Sequence, residues 1–182
     1  MQTRESNAVD TAGRIMDVAE RLIRTGGYDA FSFREIATEL GIKSASVHYH
    51  YATKADLVAA VAKRYTDRFI DALGDNSGDP EHMIDHFIAN YRASVAHENL
   101  MCLCGMLGAE IARIPPSVAD HVIQFFHQNL EWIRPVLARR GDPDPYASAY
   151  ALVAALEGGL LLARSIGSLV PFDAAARQAR RL

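Results

Sequence analysis

Between Ser32 and Lys54 the chain reads SFREIATELGIKSASVHYHYATK, and the chemistry available there is hydrogen bonding and charge rather than bond making. Lys43, Ser44, Ala45, Ser46, His48, Tyr49 and His50 leave Val47 as the one strongly apolar residue of a short segment. Short Ser and Ala side chains admit close approach to base edges: Ser donates or accepts, and an Ala methyl meets a thymine methyl. Ser44, Ala45, Ser46 and His48 are therefore the candidate base readers. Ser32, Lys43, Tyr49, His50 and Lys54 suit phosphates, which position a reader without carrying sequence information. The alternative is a solvated polar turn between two core helices, since motifs of this kind also occur without DNA.

Little else in the chain suggests chemistry. Cys102-x-Cys104 invites a metal site, which needs further ligands and has His97 as a possible third. It also invites oxidation or electrophile sensing, which needs a lowered thiol pKa; most free cysteines are buried and inert. His82 and His86 share a helix face, a weak metal signal on its own. No Gly-rich phosphate loop, Ser-His-Asp set or Cys-His set is present, so neither an enzyme, a bound metal nor a cofactor is expected. Glu110 and Glu157 interrupt apolar helices; each is a candidate for a ligand's polar group, or for an ion pair such as Glu110 with Arg113 at i+3.

The elements that must position these residues are helical throughout. Ser32 and Glu35 have capping-box spacing, so a helix is predicted from Phe33. Phe33, Ile36, Ala37 and Leu40 give it one apolar face, and Gly41 ends it. Ser44 is the predicted N-cap of a second short helix, and Ile42 plugs the corner. Two short helices around a tight turn form a helix-turn-helix pattern. Before it, a helix is predicted over about 7–25, stopped by Gly26-Gly27. After it, Thr53 caps a helix from Lys54 to Leu73 with Leu57, Val61, Tyr65, Phe69 and Leu73 at four-residue spacing.

GDNSGDP (74–80) is the clearest loop. Further helices are predicted along the Met83–Val95 stripe, over 104–114 up to Pro115-Pro116, over about 117–139 with Pro135 kinking or shortening it, over 146–165, and over 172–181. The expected class is all-α, with a helix-turn-helix domain at 1–62 and a helical bundle at 63–182.

The 182 residues carry a net charge of −3, against a generic nucleic-acid coat protein. Residues 1–64 are net +1 and the remainder net −4, and all three lysines lie in the first part. Binding to DNA must then rest on placed contacts. The polar start, MQTRESNAVD, lacks a signal-peptide core, and no uninterrupted apolar run approaches the 18 or so residues that span a bilayer; a cytoplasmic protein without a membrane partner is expected.

The stretch TAGRIMDVAERLIRTGGYDAFS through REIATELGIKSASVHYHYATKADLVAAV resembles the DNA-binding domain of the TetR family of transcriptional repressors, and covers roughly a third of the chain. Tyr51 stands where the family usually has Phe, Ala52 where Pro is common, and Lys43-Ser44 reverse a frequent order. The resemblance implies a homodimer on a palindromic double-stranded operator, released by a small-molecule effector. The dimer would form through helices at about 117–139 and 146–165. In the latter, Ala147, Ala151, Ala154, Ala155, Gly158 and Leu162 make a small-residue stripe open to another helix, or to close packing within one subunit.

An effector pocket is implied in the second domain. Its candidates are the aromatic and soft apolar residues Tyr91, Met101, Met106, Phe125, Phe126, Trp132 and Tyr150, with Cys104, Glu110 and Glu157. A ligand there is expected to shift the helix that begins at Lys54. A trigger at Cys102 and Cys104, or an effector-independent DNA-binding protein, are the alternatives.

Overall fold

The computed structural model describes residues 2–96 and 101–181, without the side chains of 2–10 and 94–96. Nine helices lie among them: α1 (Gln2–Gly26), α2 (Phe33–Leu40), α3 (Ser44–His50), α4 (Lys54–Leu73), α5 (Pro80–Ala96), α6 (Leu103–Ala109), α7 (Pro116–Arg140), α8 (Pro145–Ile166) and α9 (Val170–Ala179). No strand occurs among the described residues, so the class is all-α.

α1, α2 and α3 build a small head on the first turns of α4. The α2 boundaries follow from local chemistry. Glu35 N donates to Ser32 Oγ at 3.3 Å and Ser32 N donates back to the Glu35 carboxylate at 2.6 Å. Hydrogen bonding to the carboxylate, from the Ser32 hydroxyl and then from its backbone N–H, holds the Glu35 carboxyl below its ordinary range. Gly41, at φ +66°, turns the chain and donates to the Ala37 and Thr38 carbonyls. Ser32→Ala is expected to lower head stability by about 1 kcal/mol, read as a shift in the urea midpoint.

Ile15, Ala19, Ile23, Ile36, Val47, Leu57 and Val61 close the head's core with no solvent exposure. A half-buried ionic cluster fastens α1 to α4: Glu20 accepts from Arg64 at 3.1 Å and Arg68 at 2.5 Å, while Arg64 also reaches Asp17 at 2.9 Å.

From the head α4 runs into the bundle, where it packs against α5 and α7, and α8 packs against α7 and α9. An aromatic layer of Tyr65, Phe69, Phe87, Tyr91 and Phe125 fills the space between α4, α5 and α7. α8 is long and apolar enough to cross a membrane, with a mean hydropathy of 1.5, yet it buries Leu152, Leu156 and Leu160 inside the bundle.

Several boundaries differ from the sequence-based expectations. The N-cap of α3 is Lys43, without a side-chain cap, and Ser44 is the first helical residue. α7 continues through Pro135 to Arg140 without being shortened; burial of Trp132, Ile133, Val136 and Leu137 around the proline offsets its missing backbone donor. α6 ends at Ala109, not near 114. Gly105 and Gly108 weaken it, Pro115 biases Ile114 away from helix, and Glu110 is drawn to partners in the head.

Candidate DNA-reading head and ligand pocket

α3 buries Val47 alone. Around it, Lys43, Ala45, His48 and Tyr49 are exposed, Tyr49 by 82%, while Ser44, Ser46 and His50 are partly exposed. Of these, Lys43, Ala45, Ser46, Tyr49 and His50 line one shallow surface depression, while Ser44 and His48 lie outside it. His48 is fixed edge-on against Phe33 of α2, with ring centroids 4.7 Å apart, and Tyr49 stands edge-on to His50 at 5.2 Å. Tyr51 packs partly buried under α1, as a phenylalanine there would, and its hydroxyl reaches Ala12 O at 3.5 Å.

Lys54 behaves differently from the others. Its Nζ donates to Phe31 O at 2.8 Å, lies 3.7 Å from Asp29, and sits over the rings of Tyr28 and Phe31. In the free protein this lysine closes the 28–31 loop onto α4, and a phosphate would compete for it.

A cavity of about 580 Å³ opens between α6, α7 and α8. Met101, Met106, Phe126, Tyr150 and Glu157 line it, as the sequence suggested. Five other pocket candidates lie elsewhere. Tyr91 and Phe125 are fully buried in the aromatic layer. Trp132 stacks on Phe87 at 5.6 Å and donates Nε1–H to Gly74 O at 2.8 Å. Cys104 belongs to α6 but is fully buried and is not in the cavity wall.

Glu110 faces the head instead: it accepts from Tyr28 N at 2.7 Å and pairs with Arg113 at 3.1 Å. Sequence reasoning missed Gly105, Gly108, Leu130, Val153 and Leu161 in the wall. The i, i+3 glycines of α6 were the available signal. Ala154 and Gly158, assigned to the small-residue stripe, also line the cavity.

Glu157 is the cavity's polar feature. Both carboxylate oxygens are buried and meet no N–H or O–H donor. Burial pushes its pKa up to about 7; the Cys102 thiol beside it offsets a little of this. Burial, with the Glu157 charge second, pushes both cysteine thiols well above their ordinary value. They are held as thiols, the opposite of what a reactive cysteine needs. No group of three His, Cys, Asp or Glu side chains converges among the described residues; His97 lies outside them.

Contacts join this cavity's wall to the end of α1. Met101 O accepts from Arg24 Nε at 2.8 Å. Arg164 of α8 donates to Arg24 O at 2.6 Å and to Thr25 O, and touches Met106 Sδ at 3.5 Å. Gly27, at φ +83°, lies so near Glu110 that a β-carbon there would sit 2.7 Å from Oε1.

A polar reader helix of seven residues on a helix-turn-helix, joined to a helical bundle with its own cavity, defines a DNA-binding regulator. A family model for bacterial regulatory proteins of the tetR family matches residues 15–61. A TetR transcriptional regulator from Legionella pneumophila is 35% identical, with a TM-score of 0.85 over 92% of this chain and 94% of its own. A TetR-family regulator from Agrobacterium tumefaciens is 29% identical, with a TM-score of 0.87 over 96% and 97%. Regulatory protein TetR from Rhodobacter sphaeroides, at 22% identity, shares the fold with a TM-score of 0.81 over 93% and 96%. No curated protein matches the chain. The chain belongs to the TetR family of transcriptional regulators.

Proposed function

We propose that the protein is a cytoplasmic, non-enzymatic repressor that binds a palindromic operator as a homodimer and is released by a small-molecule effector. The observation that carries this reading is the cavity between α6, α7 and α8, because its walls reach the head directly. An effector-independent DNA-binding protein has no need of such a cavity. Ligand entry displaces α6 and the start of the Glu110 turn, which pull on Tyr28 and the end of α1. The Glu20 cluster then carries that displacement to α4 and alters the spacing of two α3 helices in successive major grooves.

A second copy is favoured by the exposed apolar side chains of α8, Tyr146, Tyr150, Leu161, Leu162 and Ile166. Ala147, Ala154 and Gly158 are exposed on that helix too, and a β-carbon at Gly158 would meet nothing within 4 Å. This surface leaves room for a partner's helix. A two-fold dimer through α7 and α8 presents two readers to a two-fold site.

The test is selection from randomised DNA followed by titration at several salt concentrations. A palindromic consensus is expected, with log affinity falling against log salt by about 0.9 per phosphate contact. Recovery of no consensus would refute operator reading. Ser46→Ala is expected to change preference at a single base pair by about 1–3 kcal/mol; an unaltered consensus counts against Ser46 as a reader. Lys54→Ala is expected to reduce the salt slope by about 1 if the lysine leaves Phe31 O for a phosphate on binding. An unchanged slope with a lower melting temperature assigns it to loop closure alone.

A further inference from the structure

The cavity is apolar along almost its whole wall, and Glu157 alone places a carboxylate there. Nothing in the lining answers that carboxylate: no lysine, arginine or histidine is among the lining residues, and neither oxygen has an N–H or O–H donor, the weak Cys102 thiol behind it being the one polar neighbour. Arg164 touches Met106 Sδ from outside, but its N–H groups are given to the Arg24 and Thr25 carbonyls. Gly105 keeps the space over the carboxylate clear, because a β-carbon at that position would lie 2.5 Å from Glu157 Oε2. An unpaired carboxylate in an apolar wall is costly unless something supplies a cation or donors. The methionines and Phe126 beside it adapt to varied apolar shapes and favour aromatic rings.

We propose that the cavity takes a lipophilic amine, with an aromatic or branched apolar body among Met101, Met106, Phe126 and Leu130 and a protonated nitrogen against Glu157. This rests on the reading of the cavity as the effector site and names the chemical class of the effector. Electrostatics disfavour the opposite charge: a ligand carboxylate would face Glu157 in a medium of low dielectric, within the part of the chain, residues 65–182, that is net −4. The ammonium supplies the hydrogen bonds that the protein withholds, so the charged pair forms only in the complex.

Isothermal titration calorimetry of the full-length protein with three probes that share one ring system tests the proposal: naphthylmethylamine, naphthylmethanol and naphthoate. The amine is expected to bind at least about tenfold more tightly than the alcohol, the scale of a hydrogen bond to a charged group, and naphthoate more weakly than either. Glu157→Gln is expected to erase the preference for the amine and leave the alcohol's affinity within about threefold. Gly105→Ala, which displaces the carboxylate without removing it, is expected to weaken the amine selectively, and a thermal melt of each variant verifies folding. Equal affinities for amine and alcohol overturn the proposal. So does a preference for naphthoate, or an amine preference that survives Glu157→Gln. Binding of none of the three also overturns it and leaves the cavity to be filled by the partner subunit.

DNA affinity is read separately by fluorescence anisotropy on the selected operator. Release by all three probes alike keeps the effector reading and removes the amine. Amine-selective binding with no change in DNA affinity keeps the amine and removes the effector reading.

Discussion

Val47→Asp is expected to abolish DNA binding while the second domain stays folded. α3 has seven residues and buries Val47 alone, with no solvent exposure. A helix that short has no stability of its own in water, so this side chain, with the edge-on contact of His48 on Phe33, is what holds α3 against α2. A carboxylate at that position would be enclosed in the head core, where α3 packs on α2 and α1, without a partner, at a cost of roughly 3–5 kcal/mol. Val47→Ala, which removes two methyl groups and leaves a small void, is expected to cost about 2 kcal/mol and to weaken binding without erasing it. Far-UV circular dichroism melts should show a low-temperature transition for Val47→Asp ahead of the main one, with the same elution volume in size exclusion. Wild-type affinity in the aspartate variant would mean that α3 is anchored by something other than Val47.

Glu157→Gln is expected to stabilise the protein at alkaline pH and to do little below pH 4.5. Burial raises the Glu157 pKa from its ordinary value of 4.5 to about 7, so across that window the folded chain holds a proton the unfolded chain has released. The stability associated with this group is full below about 4.5 and is lost as the pH rises through about 7. At 1.36 kcal/mol per pKa unit the loss approaches about 3 kcal/mol by pH 8. Glutamine has no charge to bury, so the difference between variant and wild type should open with rising pH. For a chain of this size it corresponds to a melting temperature higher by roughly 5–10 °C at pH 8. Parallel melting curves at pH 4.5 and pH 8 would show that Glu157 is already paired or solvated.

The two carboxylates that stood out in the sequence show how far a linear reading reaches. At Glu110 the i+3 pairing with Arg113 was legible because it is set by helical spacing, and it forms even though the segment is a turn. Its bond to Tyr28 N joins residues 82 apart, and no periodicity encodes that. Glu157 was legible as a polar residue on an apolar helix, but its missing partner depends on how α6 crosses α8. The head was read almost whole because its signals are local. Ser32 and Glu35 bond across three residues, Gly41 takes a backbone conformation, and α4 runs from Lys54 to Leu73 as its stripe and caps dictate.

Lys54 was the exception in the head, since the rings and carbonyl that hold it come from the 28–31 loop rather than from its own helix. Pocket membership was read less well. Tyr91, Phe125 and Trp132 have the side chains a ligand site favours, but the same side chains fill the layer between α4, α5 and α7. Which aromatic faces a void is decided by packing.

The hydrogen bonds from the second domain to the end of α1 fall largely on main-chain atoms. Arg164 takes the carbonyls of Arg24 and Thr25, and Glu110 takes the amide of Tyr28. Their geometry is therefore fixed by where α1 stops and by Gly27, with the Arg24 side chain, which donates to Met101 O, as the one side-chain contribution from α1. A chimera that grafts another family member's head onto residues 63–182 should keep the proposed response to ligand, provided that its first helix ends in register, carries glutamate and arginine at the Glu20 and Arg24 positions, and is followed by glycine. The bundle would then serve as an interchangeable sensor, with the operator chosen by the graft.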